Sequence, residues 1–556
     1  MLLEAGILIA TIRTSGYYCG MKVSELLQQA RLMNNINALV RSIITYAVCI
    51  PLAAIIGYML TKPLDYSAAA FYSMIVIILI FPIIARFHHP LMFLCYNLPI
   101  NLFFVKTSPS IGMVMIMISL SISIFDRILS RRSQFISVPE MTVPLVILMA
   151  VVFFTAEVTG GFGLKSLGSD VYGGKKYAFL IVGIIGYFAF TARPIPPEKA
   201  TLYVSMYLLG GVLSAVSDLV PLVPSGLRFI YLFIPPSGAG IDSLGNYDNL
   251  ELGVSRLSGV SFAASIFYLW MLAYYGVRGI FMSGKIWRIT LLAIAFLLIG
   301  LGGYRSLFML ALSVFAILFF MEKMHRSPLM FVFLLLGVVA VGLVIPFASR
   351  LPFVMQRGLS FLPLDFNQEA IASAEASSNW RITLWTDMAQ QIPKYFFVGK
   401  GYAISLEDWS NIQSSANANT VGGENDSLAL SSDFHNGPLS VIIPFGIWGV
   451  FAFTWIIGVA IWILYRNYRY GRPDIKRANR YLLAIFISKF LIFMTVFGAL
   501  QGDIGTLLSF VGLSIALNYG VAKAGGQPLP QPAAINPPPS RLLLRPRPVL
   551  ARQPQA

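Results

Sequence analysis

Apolar residues come in runs of 18–25, separated by short polar breaks, and nowhere alternate with polar ones at the period of two that marks a strand. A helix needs about 20 apolar residues to cross the hydrocarbon of a bilayer. Tyr66 to Ala85, Pro328 to Phe347 and Leu439 to Tyr465 each supply such a run. Irregular backbone and open sheet edges cannot face lipid, because their N–H and C=O groups would go unsatisfied. The pattern therefore predicts an all-α polytopic membrane protein of about 12–14 transmembrane helices. The expected spans are 40–60, 66–85, 88–105, 108–125, 141–158, 177–192, 199–218, 257–277, 286–302, 304–322, 328–347, 438–465, 481–500 and 504–522. The third is interrupted by Asn97, Pro99 and Asn101.

These spans divide the chain into an N-terminal segment (1–39), a bundle (40–347) with an outer loop at 219–256, a large loop (348–437), a C-terminal helix group (438–522) and a tail (523–556). Residues 1–39 hold no clear span, and Val23 to Leu39 reads as an amphipathic surface helix. The tail is rich in Pro with scattered Arg, a composition that cannot build a packed core. No internal repeat is visible.

Composition agrees with the pattern. The 556 residues are 57% hydrophobic and 12% charged, against roughly 25% charged in soluble domains; mean hydropathy is +0.74. The net charge of +16 invites a nucleic-acid reading, but in a membrane protein Lys and Arg collect in cytoplasmic loops and set orientation. Residues 466–480 carry six basic residues between two spans. Arg127, Arg131 and Arg132, then Arg278, Lys285 and Arg288, then Lys323 and Arg326 form further clusters. With fourteen spans all four fall on one side, which places both termini in the cytoplasm and the 219–256 and 348–437 loops outside. Lys165, Lys175 and Lys176 fall on the opposite side. Cys19, Cys49 and Cys95 have neither disulfide nor zinc spacing. No carboxylate cluster has metal-ligand spacing and no phosphate-cradling glycine loop occurs, so no metal or cofactor is expected.

Candidate chemistry gathers at the outer ends of spans. Arg305 follows the glycines of GLGGYRS, Arg381 lies in NWRITLW within the large loop, and His435 closes that loop in DFHNGPLS. The guanidinium fork suits the paired oxygens of a diphosphate. Histidine, with an unperturbed pKa of about 6.5, can exchange a proton near neutrality. Each residue also has a plainer reading: headgroup anchor, surface ion pair, structural histidine. Arg228 and Arg256 border the first outer loop and can add positive charge for a donor. Glu424, Asp426 and Asp433 precede His435 and either orient it, bind acceptor hydroxyls or are simply solvated. Gln501 and Asp503 cap a short outer turn. Lys489 is a charge near mid-membrane, which faces a cavity or partner or snorkels to the inner surface.

Residues 286–460 resemble the O-antigen ligase and polymerase superfamily of bacterial envelope glycosyltransferases. The likeness rests on GGYRSLFMLALSV, RITLWTDMAQQIPKYFFVGKGYAIS and FHNGPLSVIIPFGIWGV in that order, with the turn Gly399-Lys400-Gly401; Tyr304 stands where a small polar residue is common. The resemblance implies transfer of a glycan from an undecaprenyl-diphosphate donor to an acceptor hydroxyl at the outer face of the bacterial cytoplasmic membrane. In that scheme Arg305 and Arg381 bind the diphosphate, joined by Arg256 and Arg228. His435 activates or orients the acceptor, with Asn436, Asp433 and Glu424 as weaker candidates. Its partners would be the lipid-linked donor, a glycan or lipid acceptor, membrane lipids and other polysaccharide-assembly proteins. A polymerase of the same superfamily uses the same groups. A polysaccharide transporter or lipid-linked glycan flippase would instead predict repeats and midplane charges.

Overall fold

The computed structural model describes residues 46–47, 49–51, 53–58, 66–105, 108–130, 135–163, 172–237, 256–407, 409–410 and 432–524. The amphipathic reading of 23–39, most of the C-terminal tail, Glu424 and Asp426 lie outside them. The chain forms two compact units, residues 1–80 and 81–556. In the first, Tyr72 donates a hydrogen bond to the carbonyl of Ile56 (3.0 Å).

The chain is an all-α polytopic membrane protein. Its principal helices are α1 (Tyr66–Cys95), α2 (Ile111–Ser130), α3 (Pro139–Val158), α4 (Gly174–Thr191), α5 (Ala200–Leu209), α6 (Ser258–Phe281), α7 (Ile286–Ile299), α8 (Arg305–Met321), α9 (Leu329–Val344), α10 (Phe353–Leu359), α11 (Gln368–Gln390), α12 (Gly437–Tyr470), α13 (Lys476–Thr495) and α14 (Leu500–Asn518). Among the described residues, eight helical segments are long and apolar enough to cross a membrane, and α7, α8 and α9 are shorter apolar helices. No strand occurs among the described residues, only isolated bridges such as Tyr172 with Ile404.

One expected pair of spans is corrected. The sequence places separate crossings at 66–85 and 88–105, whereas α1 continues from the first into the second, with a single non-helical residue, Phe87, between Pro82 and Pro90, and ends at Cys95. Proline lacks the N–H that would close the preceding turn, so the helix bends there rather than ending. The chain leaves the helix after Cys95, and Asn97 spends its side-chain amide on the carbonyl of Tyr207 (2.6 Å). One crossing fewer ahead of the first basic cluster leaves the agreement among the clusters intact. It removes the basis for placing both termini on one side.

From α2 onward the helix ends separate into two sets as the charge pattern requires. At the basic end Arg193 pairs with Asp126 and Arg480 with Glu322. The last three helices are tied there by Asn479 donating to Asn518 (3.0 Å) and to the carbonyl of Asn467 (2.9 Å). At the other end, Leu257 bonds Leu301, Tyr172 bonds Ile404, and Tyr402 donates to Gln501 (3.2 Å). Lys175 and Lys176, two of the dissenting lysines, open α4 at this second end, where Tyr172 pairs with Ile404.

The large loop is built on the second set. α11 turns a face of Ala370, Ala374, Leu384 and Met388 inward. Leu384 and Met388 pack with Phe434, Leu439 and Ile443 at the start of α12, and Trp380, Trp385 and Tyr395 flank that cluster. Ile382 of the same helix is 57% exposed, outside this buried face.

The following turn enters a broken helix. α12 is interrupted at Gly446 (φ 59°, ψ −161°), just after Pro444. The break leaves helical N–H and C=O groups without their usual partners. The turn supplies replacements: Lys400 N–H donates to Ile443 (2.8 Å), Gly401 N–H to Pro444 (3.0 Å), and Ile447 N–H to Phe396 (2.7 Å). Thr155 of α3 closes the arrangement by donating to Val398 (3.1 Å). Gly399 and Gly401 have φ of 85° and 68°, a region nearly closed to other residues. A Cβ on Gly401 would also run into the hydroxyls of Thr159 and Tyr177.

Candidate functional site

Arg305 begins α8 directly after a tight turn. Gly303 has φ 65°, and a Cβ there would overlap Val354 of α10. Tyr304 is extended and donates to or accepts from Ser258 (3.0 Å), its ring against Phe262. The larger residue at this position is thus accommodated by α6. The Arg305 guanidinium reaches α11, donating to the Ala374 carbonyl (3.3 Å) and Ser378 Oγ (3.2 Å).

Arg381 lies on the same helix, in register with the inward stripe Ala374, Ser378, Trp385 and Met388. Its head is therefore carried toward the bundle instead of into solvent. Nε is buried and without a hydrogen-bond partner, and the guanidinium lies 5.4 Å from the centre of the Trp380 ring. Burial first, and then the nearby Arg305 charge, lower its pKa from the usual arginine value; the group stays protonated at any physiological pH. Among the described residues neither Arg305 nor Arg381 has an ion-pair partner.

His435 is held from three directions. Its backbone is left-handed at φ 50°. Its ring packs edge-on between Trp380 (5.7 Å) and Phe497 (4.9 Å). Nδ1 meets the Asp433 carbonyl oxygen at 3.2 Å and its carboxylate at 3.6 Å. With Nδ1–H donating to Asp433, Nε2 carries the free lone pair. Asn436 caps α12, its side chain accepting from Leu439 N–H (3.0 Å), and Trp385 Nε1 donates to the Phe434 carbonyl (2.8 Å). The short stretch 433–436 is thus fixed by α11 on one side and by its own helix on the other.

Of the sequence candidates, Arg305, Arg381, Asp433, His435 and Asn436 come together around α11. Trp380 links two of them, lying against both Arg381 and His435. Arg256 sits beside the Arg305 turn through its neighbour Leu257, which bonds Leu301 (3.2 Å), but makes no described contact with Arg305 or Arg381. Arg228 is exposed and likewise touches neither among the described residues. Glu424 lies outside them. Lys489 pairs with Asp503 (2.9 Å), which also accepts from Ala499 N–H (2.9 Å), so it turns to the site end of the bundle rather than snorkelling to the basic end.

Sequence reasoning passed over Ser378 and Lys176. Lys176 lies over the Tyr402 ring (5.9 Å), within electrostatic reach of Asp433 and Lys400. Its signal was there to read: it is one of the lysines that broke the charge pattern. Among the described residues no group of His, Cys, Asp and Glu is placed to hold a metal ion. The stretch from α7 to the middle of α12 thus brings Arg305, Arg381 and His435 around one loop helix, α11, with two cations lacking an ion-pair partner among the described residues beside an oriented imidazole.

No curated protein matches the chain. Residues 289–454, which contain all three of these side chains, match the family model described as O-antigen ligase, so it is this segment of the chain that is similar to the O-antigen ligase superfamily.

Proposed function

We propose that the chain is a membrane glycosyltransferase of O-antigen ligase type. It transfers a glycan from an undecaprenyl-diphosphate donor to an acceptor hydroxyl on the outer face of the cytoplasmic membrane. The observation that carries this reading is the pair of partly buried guanidiniums, Arg305 and Arg381, that share α11 without a carboxylate between them. Two such cations favour a polyanion with oxygens on adjacent phosphorus atoms. Arg305 also begins α8, where the helix dipole adds to the attraction for an anion.

The chemistry follows from the neighbours. Nε2 of His435 takes the proton as the acceptor oxygen bonds to the anomeric carbon. The bond from that carbon to the phosphate oxygen breaks, and the electron pair leaves with the diphosphate, whose growing charge the two arginines stabilise. The donor brings the driving force with it, since nucleotide sugars are absent outside the cytoplasm. The basic end of the bundle would then face the cytoplasm. α8 has 17 residues, about 25 Å, short of the roughly 30 Å of hydrocarbon. That length would set Arg305 near the depth at which a membrane-embedded carrier holds its diphosphate.

The test uses the purified full-length chain in liposomes with a lipid-diphosphate-linked oligosaccharide donor. Arg305→Ala, Arg381→Ala and His435→Asn should each lower transfer by on the order of 100-fold or more with normal insertion. Asparagine is chosen at 435 because it tolerates a left-handed backbone. Transfer by His435→Asn at the wild-type rate would remove the proposed base. The product separates the two members of the superfamily: glycan on a lipid acceptor marks a ligase, a lengthened carrier-linked chain a polymerase.

A further inference from the structure

At the end of the bundle opposite Arg305, a cavity of about 780 Å³ opens between α5, α6 and α13, with Glu322 just past the end of α8. Its construction starts from a second broken helix. α6 is interrupted at Gly276 (φ 69°, ψ 166°), and the Arg278 N–H freed by the break donates to Glu322 (2.6 Å). The other oxygen of Glu322 pairs with Arg480 (3.0 Å), and that carboxylate is only 4% exposed. Arg477 donates to the Tyr274 carbonyl (2.5 Å). Trp270 and Tyr274, with ring centres 5.3 Å apart, form an aromatic wall.

The charge balance is uneven. Arg278, Lys476, Arg477 and Arg480 line the cavity against two carboxylates, Glu322 and Asp474; four cations less two anions leaves a formal +2. Both carboxylates are engaged already, Glu322 as above and Asp474 by Arg472 (3.0 and 3.3 Å). Nε of Arg480 is buried without a partner. Lys476 and Arg477 also open α13, where the helix dipole is positive and disfavours added cations. The cationic excess is thus held against local electrostatics.

We propose that this cavity binds the phosphate headgroup of an anionic phospholipid. An aromatic wall beside a basic rim at the ends of membrane helices is the combination that places a headgroup phosphate on cations and its glycerol against rings. The site is separate from the transfer site and does not depend on it.

The experiment measures retention of phosphatidylglycerol, phosphatidylcholine and inorganic phosphate by the full-length chain in detergent, read by native mass spectrometry. Three proteins are compared: wild type, Arg278→Gln/Lys476→Gln, and Arg469→Gln. The Arg278 and Lys476 side chains are exposed and the bond to Glu322 uses the Arg278 backbone, so the double variant keeps the fold. Arg469 is an exposed cation on the same end but outside the cavity, so its variant controls for general surface charge. The wild type should retain phosphatidylglycerol over phosphatidylcholine by roughly 10-fold. The double variant should lose that preference, and Arg469→Gln should keep it. Equal retention of the two lipids overturns the proposal, as does an equal loss in Arg469→Gln. Displacement of phosphatidylglycerol by millimolar inorganic phosphate would assign the cavity to free phosphate and overturn the lipid reading.

Discussion

Replacing Arg381 with methionine should make the protein more stable and inactive. Methionine keeps the length of the side chain and its packing against α11 and Trp380, while removing the charge and the five donors. The buried Nε has no hydrogen-bond partner, and a buried unsatisfied donor costs about 1–3 kcal/mol. Repulsion from Arg305, the second cause of the lowered Arg381 pKa, adds on the order of 1–2 kcal/mol at the effective dielectric of a partly buried site. Against these stands the lost cation–π contact with Trp380, about 0.5–1 kcal/mol. The balance favours Arg381→Met by roughly 1–4 kcal/mol.

Thermal unfolding of wild type and variant in the same detergent, without donor, reads the difference. A second arm adds inorganic diphosphate as a probe of the anion site. At about 100 times its Kd it should stabilise the wild type by about 2.7 kcal/mol and leave Arg381→Met nearly unmoved. A variant less stable than wild type would refute the reasoning. It would mean that Arg381 is neutralised in the resting protein, and that its side chain is structural rather than held for a ligand.

Two further outcomes test the scaffold. Gly401→Ala, at φ 68° and facing Thr159 and Tyr177, should lose roughly 2–4 kcal/mol from backbone strain and overpacking and most transfer activity; Gly502→Ala, where a Cβ meets nothing within 4 Å, should unfold at or above the wild-type temperature in the same scan. Asp503→Asn should destabilise by about 3 kcal/mol by stranding the partly buried Lys489, and a double-mutant cycle in chemical denaturation should show Lys489→Met restoring most of the loss; strict additivity of the two changes would mean that the pair is not coupled.

The helices were legible because lipid imposes one rule on every crossing, and long apolar runs obey it without reference to neighbours. Charge clusters could place the helix ends because that signal is also local to each loop. The breaks were harder. Pro82 and Pro90 bend α1 where a boundary between two helices was expected, and the same residue type at Pro444 opens α12. Nothing in either local sequence says whether a distant segment will satisfy the freed backbone groups. Arg305, Arg381 and His435 were legible as residues at span ends and by resemblance. Their meeting was not, because it depends on the spacing of Ala374, Ser378, Arg381, Trp385 and Met388 along α11. That stripe is written in small and polar residues that a hydrophobic reading passes over. Lys176 was visible as a departure from the charge pattern, and the structure supplies its reason by setting it near Asp433.

The turn at 396–401 has a bearing on how the protein is made. It bonds backward to residues synthesised long before it, with Thr155 and Val398 separated by 243 positions and Tyr177 and Tyr402 by 225. It bonds forward to Ile443, Pro444 and Ile447, which leave the ribosome only after the whole loop has been made. Closing such distant contacts is the slow part of folding. α3 and α4 therefore wait for these partners while the helices between are made, and the three groups that meet around α11 are aligned last. A chain halted between Arg381 and His435 would hold both arginines without the imidazole, so a half-built copy would lack one of the three groups.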